Sequence, residues 1–166
     1  MRYTFLLLLL SAALIASAQR GLVRWAYGPF GTPGDVAYVV ENGRIYQACG
    51  AFGSLGACIF VVNGEQVFRT NDGVGSRGPG AYLNEDNKLF RCAGPFCSRG
   101  PGVLLIEGNK IFRCMGAFCT KGDAAFVLEG NLVFLAEGPF ANKGDAILQV
   151  EGTVPMIALL AILAGF

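Results

Sequence analysis

The six cysteines are the side chains of this sequence with the most direct chemistry. Cys92 and Cys97 enclose Ala-Gly-Pro-Phe, and Cys114 and Cys119 enclose Met-Gly-Ala-Phe one 22-residue period later. In-phase placement predicts that each pair staples its own connecting loop, leaving Cys49 for Cys58. Spacing alone proposes this pairing and leaves the other connectivities open. A bridge across so short a loop is worth about 2 kcal/mol on the loop-entropy relation. The C-x-x-C spacing of zinc sites is missing, and the chain has no histidine, so no metal site is expected. Without histidine the commonest general base is missing too.

A second chemically suggestive row is Thr32, Ser54, Ser76, Ser98 and Thr120, continued by Asn142. A nucleophilic hydroxyl needs an activating base beside it, and none accompanies this row. Small side chains that bond their own local backbone are turn formers, which is the role expected here. Cations recur in two further rows: Arg77, Arg99, Lys121 and Lys143, and Arg69, Arg91 and Arg113. Glu41, Glu85, Glu107, Glu129 and Glu151 form an acidic row at the same period. Arg77, Arg99 and Lys121 are the candidate basic stripe for a sulfated glycan or an anionic surface; solvated faces with local acid-base pairing are the alternative. The glutamates occur once per repeat and make no catalytic carboxylate pair. No catalytic residue and no cofactor are expected, and the chain reads as non-enzymatic. A formal charge of +1 provides no basic field for nucleic acid.

The elements that must position these rows follow from the period itself. Units begin at residues 27, 49, 71, 93, 115 and 137 without an insertion. Gly34, Gly56, Gly78, Gly100, Gly122 and Gly144 occupy the eighth position of every unit, where either a positive φ or a close backbone approach excludes a side chain. An apolar run such as Ala37-Tyr38-Val39-Val40 reads as a first strand. Glu41-Asn42-Gly43-Arg44 is a hairpin turn, and Ile45-Tyr46-Gln47 is a second strand. Each unit is therefore a β-hairpin followed by a glycine-rich connection. Aromatic rings recur in the connection (Phe30, Phe52, Phe96, Phe118, Phe140), in the first strand and in the second, and stacked units would bury them as a shared core. An aromatic cage for a ligand is the functional alternative.

The fold expected is all-β: tandem hairpins over residues 27–153, stacked as a β-solenoid or hairpin array, with propeller-like or trefoil-like closure as the alternative. Residues 1–18 read as a signal peptide, with a basic start, an apolar run and Ala16-Ser17-Ala18 as the cleavage site. Residues 19–26 are a lead-in that contains Trp25, outside the repeats. The apolar tail, residues 154–166, has the form of a GPI-attachment signal, with Asn142 and Gly144 as candidate attachment points. Packing of the tail on the body as a buried cap is the other reading. Together these features predict a secreted or cell-surface protein, tethered by a lipid anchor if the tail is processed. It would have a structural or adhesive role, or bind glycan or another ligand through its aromatic and basic rows. The partner expected is an extracellular protein or glycan, with membrane contact only through the anchor.

Overall fold

A computed structural model describes residues 20–94, 96–138 and 140–166; the expected signal peptide, residues 1–18, lies outside the described residues. Among the described residues there are twelve strands and one helix. The strands are β1 (Arg20–Tyr27), β2 (Thr32–Glu41), β3 (Arg44–Cys49), β4 (Ser54–Asn63), β5 (Gln66–Thr70), β6 (Arg77–Glu85), β7 (Lys88–Ala93), β8 (Ser98–Glu107), β9 (Lys110–Met115), β10 (Thr120–Glu129), β11 (Leu132–Glu137) and β12 (Asn142–Gly152). The helix, α1, spans Met156–Leu163. Each strand pairs antiparallel with its neighbours in sequence, and β12 returns to β1, closing the sheet into a barrel.

Two kinds of connection alternate. Short turns close each hairpin: Asn42 and Gly43 both take positive φ (51° and 71°), which matches the right-handed twist of the flanking strands. Longer connections join one repeat to the next, and in an up-and-down barrel these all leave the same edge. The array of hairpins read from the sequence is thus present, closed as one barrel rather than left open.

Closure depends on β1. Counted back from the first unit, residues 20–26 fall in phase with a second strand, and Val23 occupies the place of Ile45, Val67 and Leu89. Val23 pairs with Val150 and Trp25 with Leu148 of β12. The lead-in is therefore the missing second strand of the sixth unit, and Trp25 belongs to the repeat pattern after all. Closing the barrel leaves neither β12 nor β1 with an unpaired edge.

The core lies inside the barrel around α1. Val23, Val40, Ile45, Val67, Leu89, Leu104, Ile111, Val133 and Leu148 pack with Ile157, Ala158, Leu159, Leu160, Ala161, Ile162 and Leu163 in one cluster. An apolar helix without an amphipathic face suits a site surrounded on all sides by apolar strands. This placement is that of the buried cap, the other reading of the tail. Asn142 and Gly144 lie in β12, so cleavage there would take away the closing strand and the helix that fills the lumen.

The glycine row is explained by close approach. A Cβ on Gly56 would lie 2.6 Å from the Gln47 carbonyl oxygen, and on Gly100 or Gly122 it would lie 2.7 Å from that of Arg91 or Arg113. Each glycine sits in a β-bulge, where the register slips against the preceding strand. Beside it, two positions share a fixed space. Gly53 packs on Val36, whereas at Gly80 an added Cβ would meet Cys97 Cβ at 2.8 Å and Cys92 Sγ at 2.9 Å. Gly102 makes the same room for Cys114 and Cys119.

The disulfides Cys92–Cys97 and Cys114–Cys119 are formed, with Cα separations of 4.4 and 4.5 Å. The expected Cys49–Cys58 bond is not: Cys49 is exposed, and Cys58 is a buried free thiol. Cys49 stands one residue out of phase with Cys92 and Cys114, and the place of Cys97 is taken by Gly53. One residue along a strand reverses the face of the side chain, so Cys49 cannot reach a loop partner as the other two do.

Candidate functional site

The outer face of the barrel carries the first of three repeated surface features. Phe68, Phe90, Phe112 and Phe134 are buried although their strands face water. Each is roofed by a cation from the next strand: Arg77 stands 3.6 Å from the Phe68 centroid, Arg99 5.0 Å from Phe90, Lys121 4.0 Å from Phe112 and Lys143 4.7 Å from Phe134. Three of these cations also pair with the glutamate of the preceding hairpin. Arg99 donates to Glu85 at 3.2 Å, Lys143 to Glu129 at 2.7 Å, and Lys121 to Glu107. The basic stripe expected at Arg77, Arg99 and Lys121 is present as a row of cations stacked on rings, of which Arg99 and Lys121 are also ion-paired within the molecule.

The second feature is the row of connection phenylalanines. Phe30, Phe52, Phe96, Phe118 and Phe140 are between 77% and 92% exposed, which corrects their assignment to the core. Their loops are nonetheless anchored through the backbone. The Arg20 guanidinium donates to the Gly53 carbonyl at 2.8 Å, and Lys110 Nζ donates to the Phe140 carbonyl at 2.8 Å. Within the loops, the amides of Gly53, Cys97, Cys119 and Ala141 donate to the carbonyls of Gly50, Gly94, Gly116 and Gly138. Phe118 stands over a depression of about 290 Å³ formed by Glu85, Asp86, Lys88, Phe90 and Arg99, so the connection bends back over the outside of the barrel. The rings are held out by a fixed backbone. The hydroxyl row performs the turn role in one clear instance, where Thr120 Oγ1 donates to the Met115 carbonyl at 2.7 Å.

The third connection differs from the others. Residues 71–76 have no phenylalanine, and Asp72 accepts from the backbone amides of Val74, Gly75 and Ser76 at 3.0, 3.0 and 3.1 Å. Hydrogen bonds from Ser76 and then from Val74 and Gly75 hold the Asp72 carboxyl below the usual carboxylate range. Burial pushes the Cys58 thiol and the Tyr38 phenol up, which keeps both protonated near neutrality.

The third feature is the arginine row that the sequence marks only as recurrent. Arg69 pairs with Phe60, Arg91 with Tyr82 and Arg113 with Leu104. Directly paired residues share a face, and these partners belong to the core around α1. The three arginines therefore issue from the inner face, at the barrel edge where the long connections lie. All three are exposed, and no carboxylate lies within ion-pair distance of them among the described residues. No grouping of three or more metal-ligating side chains occurs among the described residues. No protein-family model matches the chain, and neither a curated protein nor a solved structure matches it.

Proposed function

We propose that this chain is an extracellular, non-enzymatic protein with an adhesive role, which contacts an apolar protein surface through its repeated loop phenylalanines. The observation that carries this reading is the exposure of Phe30, Phe52, Phe96, Phe118 and Phe140 at equivalent places in five repeats, while the second-strand phenylalanines are buried. Large rings held in water lose the burial that would stabilise them, and exposed apolar side chains repeated in this way mark an interaction site. The two disulfides fit an oxidising, extracellular environment. With the tail filling the barrel, secretion without a lipid anchor is the form of the localisation that this reading adopts.

Replacement of one, three and then all five phenylalanines by serine tests the proposal, read as adhesion of the purified protein to the surface of the cells that secrete it. Each ring that becomes buried in contact is expected to weaken adhesion by about tenfold or more. A graded loss supports an extended adhesive surface. Loss confined to one position would replace it with a discrete pocket, and unchanged adhesion in the fivefold variant would remove the phenylalanines from the function.

A further inference from the structure

Strands β5 to β9 differ from the rest of the barrel in what they place between cations. Arg69 lies between Phe68 and Thr70, which pair with Gly80 and Arg77, so it faces the bulge at Gly78 and Pro79. One repeat later Arg91 faces Gly100 and Pro101 in the same way. The corresponding place beside Trp25, Arg113 and Leu135 is held by Asp35, Asp123 and Asp145. Proline thus stands in two consecutive repeats where most other units carry a carboxylate.

The result is one depression and, one period earlier, a matching set of residues. Arg91, Pro101, Gly102, Val103, Arg113 and Cys114 surround a depression of about 320 Å³. The residues one period earlier are Arg69, Pro79, Gly80, Ala81, Arg91 and Cys92, the same types in the same register. The space beside Gly80 and Gly102 is filled by the two disulfides, which therefore form a fixed wall of each site. Arg91 is shared by both sets. Arg113 closes the row, since Asp123 and then Leu135 follow.

We propose that Arg69, Arg91 and Arg113 form two tandem subsites for a linear sulfated glycan. Successive arginines are two strands apart, about 10 Å at the usual inter-strand spacing, so the site matches a chain that repeats its anionic group at a similar interval. A guanidinium presents a planar fork that binds a sulfate ester through two parallel hydrogen bonds. No carboxylate stands at the bulge beside Arg69 or Arg91, and among the described residues none is ion-paired with any of the three arginines. The cations of the outer ladder, by contrast, would have to give up both a ring and, in three of the four cases, a glutamate. This proposal is independent of the loop phenylalanines.

The test uses the intact disulfide-bonded protein and a sulfated hexasaccharide of defined length, measured by calorimetry beside the same oligosaccharide after desulfation. Binding of the sulfated chain alone is expected, and Arg91→Gln, which damages both subsites, should weaken it by about thirtyfold or more. Arg69→Gln and Arg113→Gln each leave one subsite whole and should cost about tenfold or less. Arg99→Gln and Lys121→Gln should change it less than about twofold, because those cations are already engaged. All five positions are exposed, and near-ultraviolet circular dichroism checks that each variant is folded. Equal binding of the desulfated chain, or equal losses in the Arg91 and Arg99 variants, would overturn the proposal. Binding of inorganic sulfate as tight as the hexasaccharide would overturn the tandem arrangement, and preferential binding of vesicles carrying anionic lipid would replace the glycan with a phosphate headgroup.

Discussion

The two faces of this barrel bury aromatic and aliphatic side chains by different means. Inside, the strands close on α1, and the buried residues among those described include no polar or charged side chain. Outside, Phe68, Phe90, Phe112 and Phe134 are nearly as inaccessible, although only the connections bend over this face. Their cover is the aliphatic stem and cationic head of Arg77, Arg99, Lys121 or Lys143. A long amphipathic side chain can shield a ring while its charge stays in water, so a sheet face exposed to solvent can still carry a large aromatic. The same device engages the outer cations. Arg69, Arg91 and Arg113 leave the inner face beyond the reach of such a ladder, and among the described residues only Arg69 stands over a ring, 6.0 Å from the centroid of Phe60.

The largest effect should come from the inner face. Leu160 is fully buried at the centre of α1, and Leu160→Asp would place a charge where no partner exists. The expected loss exceeds about 4 kcal/mol, enough to prevent a cooperative fold in most domains of this size. Thermal unfolding of the purified protein checks this directly. A melt unchanged from the parent would show that the tail is dispensable to the barrel, and the comparison of faces would lose its first half.

On the outer face the ring should matter more than its cover. Phe90→Ala removes a ring that is 1% exposed and should cost about 3 kcal/mol. Arg99→Gln removes an exposed cation from that ring and from Glu85, for which about 1 kcal/mol or less is expected. In chemical unfolding of both single variants and the double variant, the cost of Arg99→Gln should shrink once the ring is gone. Additive costs would mean that the cation and ring are neighbours without being coupled.

Much of the architecture was legible because one physical unit recurs. The period, the strand-turn-strand order, the need for glycine at the eighth position and the two in-phase disulfides all follow from local rules that repeat identically. What escaped depends on how the ends meet. That residues 20–27 complete the sixth hairpin could have been read from Val23 and Trp25 standing in phase, but Arg24 in the place of phenylalanine masks the match. The fate of the tail was hidden for a related reason: a short apolar segment has the same composition whether it enters a membrane, is cleaved, or fills a closed lumen. The connection phenylalanines were misread because their recurrence resembles that of the buried rows, and only the outward course of the loop separates them. Among the cations, the decisive signal was proline against aspartate at the bulge, which matters only once the register brings Pro79 and Pro101 beside Arg69 and Arg91.

The smallest effect belongs to the one connection that departs from the pattern. In residues 71–76 no phenylalanine marks the loop, and the Asp72 carboxylate accepts the amides of Val74, Gly75 and Ser76. These bonds favour the ionised form, so the folded pKa lies below the ordinary value of 3.8. A depressed carboxylate contributes stability that is fully present above its unfolded pKa and is lost as pH falls through the folded one. The connection should therefore hold its shape at neutral and mildly acidic pH and loosen only below the ordinary carboxylate range. Because Asp72 is fully exposed, the change should be confined to this loop while the barrel stays closed. The amide proton shifts of Val74, Gly75 and Ser76 would follow the titration together, with a midpoint below 3.8, and Asp72→Asn would abolish the step. A midpoint at or above that value, or three amides titrating apart, would show that the carboxylate does not organise the loop.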